Sequence, residues 1–471
     1  MVRVGIVSLA ATFSLLASLA AAQPPTTPTP TTPTPGTPTP GEPTPPIESP
    51  TGVPQGPTPS GTLPNVQIPG VLLPPRGPLD FLYAPPPQGP LTLTPSLAIT
   101  EEFNDNVFLT HSDKRSDFIT QFTPGLTLQA RQPGFQLLSA VNFTAEIYAR
   151  NPELDSAANR LNFLTSVSYQ ASQRVNLSLT ENLTFNRNNS NNAAISGVAS
   201  GQQESLSNVL APAISVSLTP RTTWRVSGAY ILERFGSGNN QNSQNNRNNQ
   251  NSQDSNIYRI GTGFDHTLTP RLTLLAAYDF AYLDVQHEPT AFNHTLRFGG
   301  SYQVTPTLTV SATAGPSLLQ TEHDTQITPA ATARITKAMS WGFMSAFYDQ
   351  AIATNGGFGG LTDNKTFGGN ITVSTLLRNL FLDLSPRYTI STSTGASQSN
   401  TDINVLTVTL GARYQIARYV SLIGSYQLLH QTGSGNGSTG NTASTSNNAS
   451  NDIDQNRVNF GIQFGYPINF Y

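Results

Sequence analysis

The last stretch of the chain alternates apolar and polar side chains from Arg457 to Phe470. Its apolar positions are Val458, Phe460, Ile462, Phe464, Tyr466, Ile468 and Phe470. Because successive side chains of a β-strand point to opposite faces, this period of two predicts a strand with one apolar and one polar face. The same alternation occurs at 406–415 and 223–233, and it recurs beyond Leu91 in segments of about 12 to 16 residues. This part of the chain is therefore predicted to be all-β.

The polar faces of these strands carry few charges. Only 11% of the residues are charged, whereas soluble proteins average about 25%. A soluble β-sandwich would direct Lys and Glu toward water, but here the polar faces are composed of Asn, Thr, Ser, Gly and Gln. An apolar face toward lipid and a polar face around a water-filled lumen account for this composition. Disorder is the alternative interpretation, and we expect it for part of the chain.

The connections between the strands alternate in length. Eight short turns are predicted at 132–134, 172–173, 219–221, 269–271, 305–307, 337–338, 377–379 and 417–418. Nine longer polar linkers are predicted at 104–115, 151–158, 188–203, 236–253, 286–290, 322–324, 355–361, 392–399 and 431–451. Eight plus nine connections join 18 strands and place both ends of the barrel on the short-turn side. The predicted fold is a transmembrane antiparallel up-and-down β-barrel of about 18 strands, with periplasmic turns and extracellular loops.

The beginning of the chain is predicted to be a signal peptide. Arg3 precedes an apolar run that ends in the small residues Ala20, Ala21 and Ala22, and we expect cleavage after Ala22. A transmembrane helix is the less favoured alternative, because the run is shorter than the roughly 20 residues that a helix needs to cross a bilayer. The predicted organisation is a signal peptide at 1–22, a periplasmic arm at 23–90 and the barrel at 91–471.

The arm holds 24 of the 37 prolines, many of them in Thr-Pro repeats. Such a tract forms neither helices nor ladders and favours an extended, semi-rigid or disordered chain. Two interpretations remain open: a spacer that reaches the peptidoglycan or a partner, and an unconstrained tail. Its more apolar end, at 71–73 and 81–83, is expected to pack at or inside the periplasmic mouth of the barrel.

No motif in the sequence predicts catalysis, a cofactor or a metal site. Cys is absent, and the six histidines lack ligand spacing. The segment 435–440 matches a G-x-G-x-x-G pattern by chance, because it lies in an Asn- and Ser-rich loop and no helix follows it. A net charge of -3 argues against a nucleic-acid partner. We therefore expect that the protein is not an enzyme.

Strand parity selects the side chains that should face the lumen. The candidates are Asn142, Glu146, Arg225, Arg259, Asp265, Asp279, Arg297, Gln303, Arg413, Arg457 and Gln463. Each is more commonly a structural residue than a determinant of transport. Their mixed signs predict a passage without strong ion selectivity. One residue departs from the pattern, since Glu181 has the parity of the lipid-facing side chains. A β-bulge or a position near the membrane interface would explain it.

The end of the chain resembles the insertion signal of outer-membrane barrels. Gln463, Gly465, Ile468 and Phe470 match its polar, glycine, hydrophobic and aromatic positions, although Tyr471 adds one residue. The resemblance implies recognition by the barrel-assembly machinery. An ordinary amphipathic strand is the alternative.

The first predicted hairpin resembles a known family. The residues that carry the resemblance are Glu101 to Leu109, Ser116 to Thr120 and Pro124 to Leu126. They are similar to the first hairpin of outer-membrane β-barrel porins associated with exopolysaccharide biosynthesis and export. The resemblance covers roughly 93–128 and implies a conduit for a secreted polymer, with outer-membrane lipid, the polysaccharide and periplasmic export components as partners. The alternatives are a structural or adhesive surface protein with a blocked lumen and, third, an outer-membrane enzyme.

Overall fold

The computed structural model describes residues 89–187, 204–236, 254–286, 288–322, 324–354, 360–374, 377–394, 401–435 and 452–470. The predicted signal peptide with Ala20 and Ala22, the arm up to residue 88, most of the long polar linkers and Tyr471 lie outside the described residues. Among the described residues, no helix is long and apolar enough to cross a membrane.

Nearly all the described residues belong to β-strands. The strands are β1 (Leu91–Asn104), β2 (Asp117–Gln132), β3 (Phe135–Tyr148), β4 (Ser156–Gln170), β5 (Val175–Asn186), β6 (Ser205–Thr219), β7 (Thr222–Phe235), β8 (Ser255–Thr269), β9 (Leu272–Val285), β10 (Ala291–Thr305), β11 (Leu308–Gln320), β12 (Thr325–Met339), β13 (Gly342–Thr354), β14 (Leu361–Val373), β15 (Leu380–Ser393), β16 (Thr401–Ala417), β17 (Val420–Gly435), β18 (Ile453–Gly465) and β19 (Ile468–Phe470). One 3-10 turn, Pro152–Leu154, lies between β3 and β4.

The strands form one closed antiparallel sheet. Each of β1 to β17 pairs with the next strand along the chain, and β1 also pairs with β18 and β19. We call this β1–β18/β19 pairing the closing seam. Because β19 continues the line of β18 after an interruption at Tyr466 and Pro467, the wall contains 18 strand positions. The predicted fold class and strand number are confirmed.

The connections follow the predicted alternation with three larger errors of position. Residues 156–158 lie in β4 and residues 431–435 lie in β17, although both were predicted to lie in linkers. Lys337 and Ala338, predicted as a turn, lie inside β12, and the turn is formed by Ser340 and Trp341. Lys337 pairs with Leu308 and with Met344, so the ladder continues through the predicted turn. Both ends of the barrel chain, at Leu91 and Phe470, lie beside each other near the short turns.

The two faces of the wall differ as the alternation predicts. In β18, Val458, Phe460 and Phe464 are exposed on the outer face, whereas Arg457, Asn459 and Gln463 are buried on the inner face. Inner hydroxyl groups pair across strands, as between Thr123 and Thr144, whose oxygens are 3.0 Å apart. Closure pairs the first strand with the last, so backbone groups are satisfied within the wall, as a bilayer requires, except where the β12–β13 ladder stops at Ala331 and Gln350.

Glu181 is placed as its parity predicts, but neither proposed explanation is correct. It pairs with Thr165 and with Leu210 in continuous register, so the strand has no bulge there. It also lies in the middle of β5 rather than at an end. Its side chain is fully buried, as is that of Thr165, whose hydroxyl is 2.9 Å from that of Ser139. These three residues form a polar row on the outer face.

The inner face becomes apolar at the long-connection end of the barrel. Ile231, Ile257, Leu283 and Leu319 point inward and pack in one buried cluster with Ile352. A second cluster joins Leu109 of the β1–β2 connection to inward residues of β16–β18. The expectation of a polar lumen is therefore wrong at this end, because these inner side chains pack against chain segments rather than water.

Candidate functional site

The distribution of side chains, apolar outside and polar inside, identifies the kind of barrel. An apolar outer face, a polar inner face and closure at 18 strands are the properties of outer-membrane barrels of Gram-negative bacteria. The fold is a transmembrane β-barrel. The candidate functional site of this barrel is the set of charged side chains on its inner face.

A buried polar network joins the inner face across the closing seam. Arg457 on β18 donates two hydrogen bonds to Glu102 on β1, both 2.8 Å long. Gln121 donates to the same carboxylate at 3.1 Å. On the far side of Gln121, Glu146 accepts a 2.5 Å hydrogen bond from Arg160. Two carboxylates and two guanidinium groups thus compensate each other, which buried charges require.

A second group of charges, which we call the arginine cluster, has a net positive charge. It consists of Arg259, Arg297, Arg334, Arg387, Asp279 and Asp349, which lie on six different strands. Asp279 forms an ion pair with Arg297 at 3.3 Å. Asp349 interacts electrostatically with all four arginines. Four positive and two negative side chains give the cluster a formal charge of +2.

The Phe347 ring contacts two of these arginines. The guanidinium carbons of Arg334 and Arg387 lie 5.5 Å and 5.9 Å from the centre of the Phe347 ring. Gly368 pairs with Phe347, and a Cβ atom there would lie only 2.4 Å from the ring. The missing side chain therefore leaves room for the ring. Cation–π contacts then hold both guanidinium planes against it.

The ends of β13 and β14 cross the lumen next to the arginine cluster. We call residues 350–354 and 361–364 the hairpin end. The Thr354 hydroxyl donates a 3.0 Å hydrogen bond to Glu233 on β7, six strands away in the wall. The side chains of Ile352 and Leu361 are each only 2% exposed and pack with Ile257 and Leu283. This contact across the barrel narrows the passage on one side.

The β1–β2 connection narrows the passage from the opposite side. Leu109 packs against inward residues of β16–β18. Asn106 donates hydrogen bonds to Thr110 O and Asp454 O at 2.8 Å and 2.9 Å. Gln455 donates to the Asn106 carbonyl at 2.9 Å. The connection is therefore anchored to β18 by backbone and side-chain contacts.

The predicted lumen-facing residues lie on the inner face but do not form one site. Glu146 and Arg457 belong to the network at the closing seam, and Arg259, Asp279 and Arg297 belong to the arginine cluster. The others are dispersed: Asn142 accepts from Asn162, Arg225 pairs with Asp265, Gln303 donates to Pro306 O, Arg413 covers the Phe381 ring and Gln463 is buried near the closing seam. Whether any of them acts in transport stays a prediction.

Several central residues of these networks are not among the predicted lumen-facing candidates. Glu102, Arg160, Arg334, Asp349 and Arg387 were not selected, although they occupy inward positions of their strands. Strict extension of parity along β1, β4, β12, β13 and β15 would have found them. No local signal marks their convergence, because it depends on the closure of the barrel.

The residues of the predicted assembly signal occupy both faces of the final strand. Gln463 is buried inside, whereas Ile468 and Phe470 are exposed on the outer face. Their recognition by an assembly machinery stays a prediction. Within the described part of the chain, no group of His, Asp and Glu side chains is arranged to hold a metal ion.

Comparison with known proteins adds weak structural similarity only. No family model and no curated protein matches the sequence. Among solved structures, OccAB4 of Acinetobacter baumannii is similar with a TM-score of 0.41 and 10% identity, over 81% of this chain and 99% of that one. The outer membrane protein opdK of Pseudomonas aeruginosa has a TM-score of 0.40 and 10% identity, over 80% and 99%. At these values the similarity carries no argument about function.

Proposed function

We propose that the protein is an outer-membrane channel whose passage runs along the arginine cluster. The observation that carries the proposal is a cluster of net positive charge on the inner face of a closed barrel of 18 strands. Barrels of 16 to 18 strands are wide enough to leave an aqueous passage. Rings of charged side chains at a narrow level of a pore select ions by their sign. The proposal differs from the sequence-based expectation in that it includes a preference for anions.

The solute is the finer part of the proposal. The resemblance of the first hairpin supports an exported polysaccharide, and the arginine cluster suits a polymer that carries carboxylate groups, because guanidinium pairs with carboxylate in bidentate geometry. Outer-membrane lipid, the assembly machinery and periplasmic export components are the partners in this proposal. Release of a labelled acidic polysaccharide from liposomes, compared with a neutral one of equal length, tests it. Equal release would remove the anionic polymer from the proposal.

Single-channel recording tests the channel itself. We expect the refolded protein to give stepwise conductance in planar bilayers, with a reversal potential that indicates anion preference. Replacing Arg334 and Arg387 with Gln keeps most of their packing on Phe347 and removes both charges. The anion-to-cation permeability ratio should then fall roughly twofold to fivefold.

The matched control for this experiment is Arg150→Gln. Arg150 lies at the rim and is exposed beside Ser116, so its removal should leave the permeability ratio unchanged. An equal change in both proteins would assign the selectivity to the overall charge of the rim. Absence of conductance in every preparation would contradict a channel.

A structural or adhesive surface protein is the second candidate. The apolar packing of the hairpin end and of Leu109 inside the barrel favours it, since both reduce the open cross-section. Under this alternative the barrel would fold and insert but would show no conductance in bilayers at any voltage.

A further inference from the structure

The wall is incomplete between β12 and β13. Their ladder runs from the pair Met339 and Gly342 to the pair Ala331 and Gln350, where it stops. On the other side of β12, pairing with β11 continues to Thr325. β13 likewise remains paired with β14 as far as Thr354. Both strands therefore continue beyond the point at which they separate.

A proline in β12 lies just beyond the point where the ladder stops. Pro329 pairs with Pro316 of β11, and since neither has an N–H group, this pair cannot be a hydrogen-bonded pair. In an antiparallel ladder the backbone groups of such a residue point toward the other neighbour. Pro329 thus faces β13 at the position opposite Ile352, where a hydrogen-bonded ladder needs a donor.

The Ile352 carbonyl would accept a ladder hydrogen bond from residue 329, but Pro329 has no N–H group. Inside the lumen a different donor approaches this carbonyl. Arg259 lies 3.5 Å from Ile352 O. Thr354 donates to Glu233 at 3.0 Å. Asp349 interacts with arginines on both sides of β13, from β8 to β15. The face of the hairpin end that bears Ile352 would meet lipid if β13 continued beside β12. In the lumen, Ile352 and Leu361 of this face are buried in the apolar cluster instead, beside a hydrogen bond from Gln350 to Asp363.

We propose that the hairpin end is a gate that occupies one of two positions. In the lumen it closes the passage against β7–β11, and when it joins β12 it completes the wall and opens the passage. Pro329 biases the equilibrium toward the lumen, because the wall position lacks one ladder hydrogen bond. The inference rests on the proposed channel function and concerns its regulation.

Paired cysteines test the two positions, because the chain has no cysteine of its own. Extension of the β12–β13 register places Thr328 opposite Ala353 in the wall position, and Thr328→Cys with Ala353→Cys should form a disulfide only there. Glu233→Cys with Thr354→Cys, joined by a short reducible bis-methanethiosulfonate reagent, should fix the lumen position. Thr336→Cys with Ser345→Cys is the matched control, since these residues pair within the existing ladder.

We expect the first link to form in liposomes and to hold the channel in its high-conductance state, and the second to hold it closed, each until a reductant is added. The control pair should form its link without a change in conductance. If the control pair forms and the Thr328–Ala353 pair never does, the gate is overturned. Equal conductance with both links also overturns it. Links that form as expected in a protein that never conducts would overturn the proposed channel function instead, since gel mobility reports the links independently.

A single substitution gives a second test. Pro329→Val restores the missing donor and should raise the ratio of open to closed time roughly threefold to tenfold, the effect of about one hydrogen bond. Pro316→Val is the control, because the backbone groups of Pro316 face β10. An unchanged ratio for Pro329→Val, or an equal rise for both, would contradict the role of Pro329.

Discussion

Replacing Arg457 with Ala is expected to lower the free energy of unfolding of the barrel by about 3–5 kcal/mol. Arg457 and Glu102 are only 8% and 3% exposed, and their two hydrogen bonds cross the closing seam. Loss of the guanidinium leaves a buried carboxylate without its charge partner. Urea unfolding in liposomes, followed by the fluorescence of Trp224 and Trp341, measures the change.

The control for this prediction is Arg225→Ala. Arg225 also forms an ion pair on the inner face, with Asp265, but its side chain is 60% exposed. Because the Arg225 guanidinium is solvated, its attraction to Asp265 is screened, and although Asp265 is only 12% exposed we expect a smaller loss of about 1–2 kcal/mol. Equal losses in the two variants would show that burial at the closing seam does not determine the contribution of Arg457.

Gly461→Ala is expected to destabilise the barrel by about 3 kcal/mol. A Cβ atom at this position of β18 would lie 2.2 Å from Ile99 O and 2.6 Å from Thr100 Cα, both on β1. Backbone atoms cannot rotate away as a side chain does, so the two strands must separate. Unfolding in urea and the fraction of protein that resists SDS without heating report the defect.

Gly424→Ala on the neighbouring strand β17 is the matched variant. Its Cβ atom would approach no atom closer than 3.7 Å, which is an ordinary contact. We expect no loss of stability, because Ala also reduces the entropy of the unfolded chain relative to Gly. If Gly461→Ala were equally harmless, the strands at the closing seam would be less tightly apposed than the structure indicates.

Both predictions concern the closing seam for a common reason. A barrel has no free edge only while its first and last strands remain paired. Separation of β1 from β18 exposes backbone donors and acceptors to lipid, where each unsatisfied group is costly. A defect of the same size between two strands that are close in sequence should affect folding less, since a short turn holds them together.

The fold was largely predictable because its main signal is local. The alternation at 457–470 sets the two faces of the last strand whatever the rest of the chain does, and the short turns set the antiparallel order. Errors occurred where the local signal was weak. Lys337 and Ala338 suit a turn, but pairing with β11 and β13 carries the strand through both of them to Met339.

The candidate site was less predictable because it is assembled across the barrel. Parity indicates that Arg259 and Asp349 both face inward, but not that they interact across the lumen. Nor does it predict that Ile352, which has lipid-facing parity, is buried inside. The hairpin end leaves β12 next to Pro329, a residue of another strand, and packs against apolar side chains of β7–β11.

The strands, their faces, their order and their approximate number follow from the amino-acid sequence alone, because each depends on side-chain alternation and on turns between neighbouring residues. Which inner charges meet, where the ladder between β12 and β13 stops and what narrows the lumen depend on the three-dimensional structure. Those features depend on pairs of residues far apart in the chain. Their proximity is fixed by closure of the whole sheet, which no local pattern records.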